Sequence, residues 1–157
     1  AGCRREVALD AGSLAGAARR MHAPTPRVAL GMALSQDAAA HAAIDISDGL
    51  VGDLGHILAA SRVGATLNAD ALPAGPVLAR QPQDLKRRFC AAGGDDYELC
   101  FTAPASAREA VMAAAVRAAT PVTRVGAIDA DPGLRLADAS GTPLDLSLTG
   151  FDHFSGD

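Results

Sequence analysis

The hydrophobic period of the chain changes abruptly between Ala42 and Ala60, and no other feature restricts the fold as much. Ala42 to Ile46 is short, apolar and ends in β-branched residues, as a buried strand does. Leu50, Leu54, Ile57 and Leu58 then recur at helical spacing, which predicts an amphipathic helix over Gly49 to Ala60. Between them, Ser47-Asp48-Gly49 reads as a turn with helix-capping chemistry. A strand must therefore feed directly into a helix through an acidic turn.

The remaining punctuation gives a loose alternation of helices and strands. Glu6 to Leu9 and Leu14 to Arg20 read as two short helices interrupted at Gly12-Ser13, and the prolines of His22 to Pro26 stop them. The Val28, Met32 and Ser35 spacing predicts a helix ending near Gln36-Asp37. Val63 to Asn68 reads as a strand. Gln83 to Cys90 reads as a helix with Lys86, Arg87 and Arg88 on its wet side. Gly93-Gly94 is a strong turn signal, after which Tyr97, Leu99 and Phe101 alternate with polar or small neighbours, as in a half-buried strand. Ser106 and Glu109 match a capping box for a helix to about Ala119. Strands are expected at Val122 to Ile128, Leu134 to Ala137 and Leu144 to Leu148, with a turn at Ser140-Gly141 and a hairpin-like C-terminal half. This pattern favours an α+β domain with a mixed β-sheet packed against α-helices over a doubly wound parallel one. Residues 1–27 are expected to form a helical and linker segment and residues 28–157 the α+β domain.

With 157 residues, 49% of them hydrophobic and 20% charged, the chain suits one globular domain that needs no disulfide to fold. Aromatics are only 3%, so the core must be built from closely packed Ala, Val, Leu and Ile. A net charge of −4 gives no support to a nucleic-acid binder, and no apolar run approaches a membrane span. Cys3, Cys90 and Cys100 are too scattered for a disulfide framework or a zinc site. They read as reduced thiols of a cytoplasmic protein, with Cys90 and Cys100 buried. The first residue is not Met and the chain opens inside helix-forming sequence, as a fragment of something longer would. No GxxxxGK[ST], GxSxG or GxGxxG motif is present.

Three segments carry candidate chemistry. In Ile44-Asp45-Ile46-Ser47-Asp48-Gly49-Leu50, two carboxylates and a hydroxyl converge where a helix begins. Neighbouring carboxylates repel unless a cation lies between them, and Mg²⁺ takes one or two carboxylates plus phosphate. The positive end of a helix favours an anion. The segment thus suits a Mg²⁺–phosphate site; the alternative is that Ser47 or Asp48 is only an N-cap and Asp45 a solvated strand end. In Gly93-Gly94-Asp95-Asp96-Tyr97-Glu98-Leu99, two glycines permit close backbone approach ahead of three acids. Asp95 is the best placed to face a ligand, and a hairpin turn with solvated acids is the alternative. In Gly150-Phe151-Asp152-His153-Phe154, an aromatic residue either stacks on a flat ligand or pins the terminus.

Together with Pro24-Thr25-Pro26-Arg27-Val28, these segments occur in an order that resembles the C-terminal half of bacterial thiamine-monophosphate kinase. The resemblance runs from about Ala18 to Phe154. It implies the C-terminal domain of the aminoimidazole ribonucleotide synthetase-like fold. It also implies transfer of the ATP γ-phosphate onto thiamine monophosphate, giving thiamine diphosphate. By the same resemblance Asp45 and Asp48 bind Mg²⁺, Ser47 contacts ATP, Asp95 contacts substrate and Phe151 packs on substrate. Many relatives have Glu where this chain has the shorter Asp95. The family's N-terminal half holds most of its Mg²⁺ ligands, its nucleotide contacts and its homodimer interface. These 157 residues alone are therefore expected to fold yet show little kinase activity. Two other readings compete: another enzyme of the superfamily, of the selenophosphate-forming or hydrogenase-maturation type, and a solitary non-enzymatic binding module.

Overall fold

The computed structural model describes residues 11–145. In chain order the elements are α1 (Ala11–His22), α2 (Val28–Gln36), β1 (Ala42–Ile46), α3 (Leu50–Ser61), β2 (Gly64–Asn68), α4 (Gln83–Ala92), β3 (Glu98–Thr102), α5 (Arg108–Arg117), β4 (Gly126–Asp129) and β5 (Gly133–Ala137). Short 3₁₀ turns at Leu78–Arg80 and Ala105–Ala107 precede α4 and α5. The architecture is α+β, as the sequence pattern predicts.

The strands form two sheets. β1 and β3 make an antiparallel ribbon in which Ile44 faces Cys100 and Asp45 faces Leu99. β2 lies at the centre of a mixed three-stranded sheet, antiparallel to β4 and parallel to β5. β4 and β5 flank β2 and do not pair with each other. The expected turn at Ser140-Gly141 does fold the chain back on β5: Ala137 bridges Pro143 in antiparallel fashion, and Leu144 donates its N–H to the Leu136 carbonyl at 2.9 Å.

Side-chain alternation along the ribbon separates two cores. Ala42, Ile44, Ile46 and Cys100 pack toward a cluster built on Leu50, Leu54, Ile57 and Leu58 of α3 with Ala65 and Leu67 of β2. Leu99 and Phe101 face the other way, toward Leu30, Ala33 and Leu34 of α2 and Ala114 of α5. Alanines at these contacts let the elements approach closely, as the low aromatic content requires. Asp45 projects on the same face of β1 as Ala43, opposite to Ile44 and Ile46, and is exposed.

Several local expectations are corrected. Gly12-Ser13, expected to interrupt the helix, lie within α1. α2 forms as expected; it buries Leu30, Ala33 and Leu34, with Val28 and Met32 outside. α5 begins after Ala107 with no side-chain cap, because a 3₁₀ turn leads into it and displaces the Ser106–Glu109 capping box. β4 starts only at Gly126, where close packing on the Thr66 carbonyl leaves no room for a Cβ. Cys90 and Cys100 are half-buried; burial pushes the Cys100 thiol up to about 11, with Asp53 adding to the effect. Cys3, Glu6 to Leu9, most of the expected strand at Leu144 to Leu148, and the C-terminal aromatics lie outside the described residues.

Arg87 is not on a wet face either. Its guanidinium grips both Asp70 oxygens at 2.7 and 2.9 Å, and Asp70 also accepts the Ala139 N–H at 2.9 Å and a bond from Gln83. This clamp ties the segment after β2 to α4 and to the loop after β5. The Arg87 hydrogen bonds and the Ala139 N–H hold the Asp70 carboxyl well below the usual carboxylate range. A depressed folded-state pKa adds stability above the unfolded value of about 4, and that stability is lost as pH falls toward the folded value. Asp70→Asn should therefore melt below the parent at pH 7, with the gap narrowing steadily from pH 4 downward. Thermal melts across pH 2–7 check this; a gap independent of pH would contradict it.

Candidate functional site

The two acidic segments meet in space because their backbones are bonded to each other. β1 ends at Ile46 and the chain turns through Ser47 and Asp48 into α3. After α4 the chain returns through Gly93 and Gly94 along this turn. Asp95 donates its N–H to the Ser47 carbonyl at 2.8 Å, and Tyr97 donates to the Ile46 carbonyl at 2.8 Å. These bonds extend the β1–β3 ribbon into the loops on both sides.

Two glycines make the approach possible. Gly49 has φ +114°, and a Cβ there would sit 3.0 Å from the Ala92 backbone. A Cβ on Gly94 would sit 2.8 Å from the Ser47 carbonyl oxygen. The positions Gly93-Gly94-Asp95 and Asp48-Gly49 are thus two sides of one backbone contact. Asp95 and Tyr97 both hold left-handed backbone, φ 65° and 50°, a conformation that costs non-glycine residues roughly 1–3 kcal/mol each. Tyr97 consequently leaves the strand alternation expected of it and stands 39% exposed. Its hydroxyl donates to Asp95 Oδ1 at 3.2 Å. That bond, and then the Asp95 charge, pushes the Tyr97 hydroxyl upward, and the Asp48 charge contributes too.

The capping reading of the first turn is corrected. The N-cap of α3 is Gly49, with no side-chain cap. Neither Ser47 nor Asp48 caps the helix. Their own N–H groups are instead received by Asp53 Oδ2, at 2.9 and 3.1 Å. Asp53 is 5% exposed and is the buried charged residue among those described. The sequence carried a signal for it: an acid beside Leu54 on the stripe that buries Leu50, Ile57 and Leu58, where a carboxylate needs partners.

The side chains of the two turns remain open. Asp45, Asp48 and Asp95 are exposed and Ser47 is half-buried. No ion pair among the described residues engages Asp45 or Asp48. Beside them lies a shallow cavity of about 400 Å³, lined by Asp45, Tyr97, Glu98, Leu99, Pro26 and Arg27 among others. Arg27 closes one wall with a bidentate pair to Glu98, at 2.7 and 2.8 Å. That pairing raises the Arg27 pKa further. Phe151 lies outside the described residues.

Among the described residues no three His, Cys, Asp or Glu side chains gather into a group that could hold a metal by themselves. The donor set nevertheless suits Mg²⁺, which binds hard oxygens and commonly takes one or two carboxylates with water and phosphate completing the shell. The exposed carboxylates of Asp45 at the end of β1 and Asp48 on the turn are donors of that kind, and no ion pair among the described residues occupies them.

The sequence matches the AIR synthase related protein C-terminal domain over residues 5–139. The chain belongs to that family. Curated relatives in the family include the thiamine-monophosphate kinase of Salmonella typhimurium, 43% identical over 134 residues. Another is the enzyme of the same name from Escherichia coli K12, 40% identical over 133 residues. Each alignment covers 84% of this chain and 40% of the relative, so the chain spans about two-fifths of the length of these relatives. Among solved structures, thiamine-monophosphate kinase from Stenotrophomonas maltophilia K279a superposes with a TM-score of 0.75 at 42% identity, over 88% of this chain and 42% of that one. AaThiL complexed with AMPPCP and TMP shares the fold, with a TM-score of 0.63 at 23% identity, over 88% of this chain and 43% of that one.

Gly49→Ala should force the α3 start away from Ala92, through both its positive φ and its Cβ. Overpacking of this kind costs about 1–3 kcal/mol, which for a domain of this size lowers the melting temperature by roughly 2–10 °C. Calorimetric melting checks this; an unchanged midpoint would show that the two turns do not depend on close approach.

Proposed function

We propose that the chain is the substrate-side part of a thiamine-monophosphate kinase, acting in ATP-dependent formation of thiamine diphosphate. One observation carries the reading: backbone hydrogen bonds join the Asp45–Gly49 and Gly93–Tyr97 turns, so that acids from both stand open around one contact. Relatives at 40–43% identity that bear this name support it. Residues 28–157 form the working α+β domain in this reading, with residues 1–27 leading into it.

In the proposed reaction a phosphate oxygen of thiamine monophosphate attacks the γ-phosphorus of ATP. The bond from that phosphorus to the β,γ-bridging oxygen breaks and ADP leaves. The reaction demands positioning and charge neutralisation more than covalent catalysis. Asp45 and Asp48 would hold Mg²⁺, which when bound neutralises phosphate charge and orients the reacting groups. The Ser47 hydroxyl donates a hydrogen bond to an ATP phosphate oxygen. Asp95, braced by the Tyr97 hydroxyl, contacts thiamine monophosphate. Phe151 packs against a planar ring of thiamine. No enzyme nucleophile is required, because the acceptor phosphate is itself the nucleophile.

The test is a calorimetric titration of thiamine monophosphate with Mg²⁺ into the 157-residue protein. The parent should bind, and Phe151→Ala should weaken binding by about 2- to 10-fold, the range of an aromatic contact. Equal binding by both would remove Phe151 from the site. Asp45→Asn and Asp48→Asn should each reduce the dependence of binding on Mg²⁺. A kinase assay on the same protein should show little turnover, since the cation that two acids can hold, with one hydroxyl, leaves most of the triphosphate charge uncompensated. Substantial turnover would show that this segment carries a complete site.

A further inference from the structure

Asp53 bonds to an unexpected pair of groups. The first turn of α3 leaves its own N–H groups to be satisfied, and an acid in that turn would ordinarily serve them or the helix dipole. Asp53 Oδ2 instead receives the N–H groups of Ser47 and Asp48, which precede the helix. These residues carry the proposed ATP-binding hydroxyl and one proposed Mg²⁺ ligand. Ser47 is then held from both sides, its N–H by Asp53 and its carbonyl by the Asp95 N–H. Burying a carboxylate costs several kcal/mol unless it is well bonded, so a 5% exposed Asp is an expensive way to brace a turn.

We infer that Asp53 is the positioning residue of this centre. Its carboxylate fixes the backbone from which Ser47 and Asp48 project, and through Ser47 links that backbone to Asp95. The oxygen that faces the turn, Oδ2, is occupied by two N–H groups. The inference rests on the phosphotransferase reading above for what is positioned, but its backbone claim stands apart from that reading.

Asn at position 53 has nearly the same shape and one oxygen able to accept the same bonds. It brings an NH₂ group into a buried place and loses the charge, whereas Ala leaves both N–H groups unpaired. The experiment compares the parent, Asp53→Asn, Asp53→Ala and Leu54→Ala in the 157-residue protein. Two quantities are read: amide hydrogen exchange at Ser47 and Asp48 by NMR, and Mn²⁺ affinity by electron paramagnetic resonance, with Asp48→Asn as the metal control. Asp53→Asn should keep the far-ultraviolet spectrum of the parent, exchange the two amides at least tenfold faster, and bind Mn²⁺ about tenfold more weakly. Leu54→Ala, an equally buried change, should lower the melting temperature without changing Mn²⁺ affinity. If Asp53→Asn binds Mn²⁺ like the parent while Asp48→Asn does not, the positioning role is overturned. Should the parent bind no Mn²⁺, the metal assignment falls and the exchange rates alone decide on Asp53. Faster exchange at Ser47 and Asp48 then upholds the inference, and unchanged exchange overturns it.

Discussion

The Ser47 carbonyl accepts the Asp95 N–H at 2.8 Å, and the arrangement of the open acids depends on that one contact. It lies just beyond the paired length of the β1–β3 ribbon, where Ile46 faces Glu98. It requires Gly94 to lie against the Ser47 oxygen and Gly49 to lie against Ala92. It also requires left-handed backbone at Asp95 and Tyr97, so part of the folding free energy is held as strain in this loop. Without the contact, the acids of the second turn would have no fixed relation to those of the first.

The ribbon that carries the contact is itself positioned by packing from both sides. Ile44 and Ile46 pack toward α3, while Leu99 and Phe101 pack toward α2 and α5. One element therefore divides two cores, and Asp45 emerges from it on the α2 side, next to the cavity closed by Arg27 and Glu98. The Asp70–Arg87 clamp fixes the far side of α4, whose last residue, Ala92, leads into the second turn. Rigidity at the turns thus comes from backbone bonds locally and from the two cores at longer range.

The elements with a strong period were legible in the sequence. β1 has its expected bounds, and α3 buries the four predicted residues, because strand and helix periods differ sharply there. α2 has its expected end, but its inward face was not legible because almost every residue in it is apolar, so spacing could not say which side turns inward. The two-sheet topology and the flanking of β2 by β4 and β5 depend on long-range pairing that local pattern does not encode. At the candidate site, Asp45, Ser47, Asp48 and Asp95 stood out as acids or a hydroxyl beside turns. Asp53 did not, because its role depends on a carboxylate folded back beneath a turn, and a helical acid is usually solvated.

The central claim is that the two turns form a single divalent-cation and phosphate platform. Paramagnetic broadening of amide resonances by Mn²⁺ tests it most directly. The account predicts that substoichiometric Mn²⁺ broadens Ser47, Asp48 and Asp95 together, ahead of the rest of the chain. Broadening centred on another acidic locus, such as Asp138 and its neighbours, with the two turns left sharp, would contradict it.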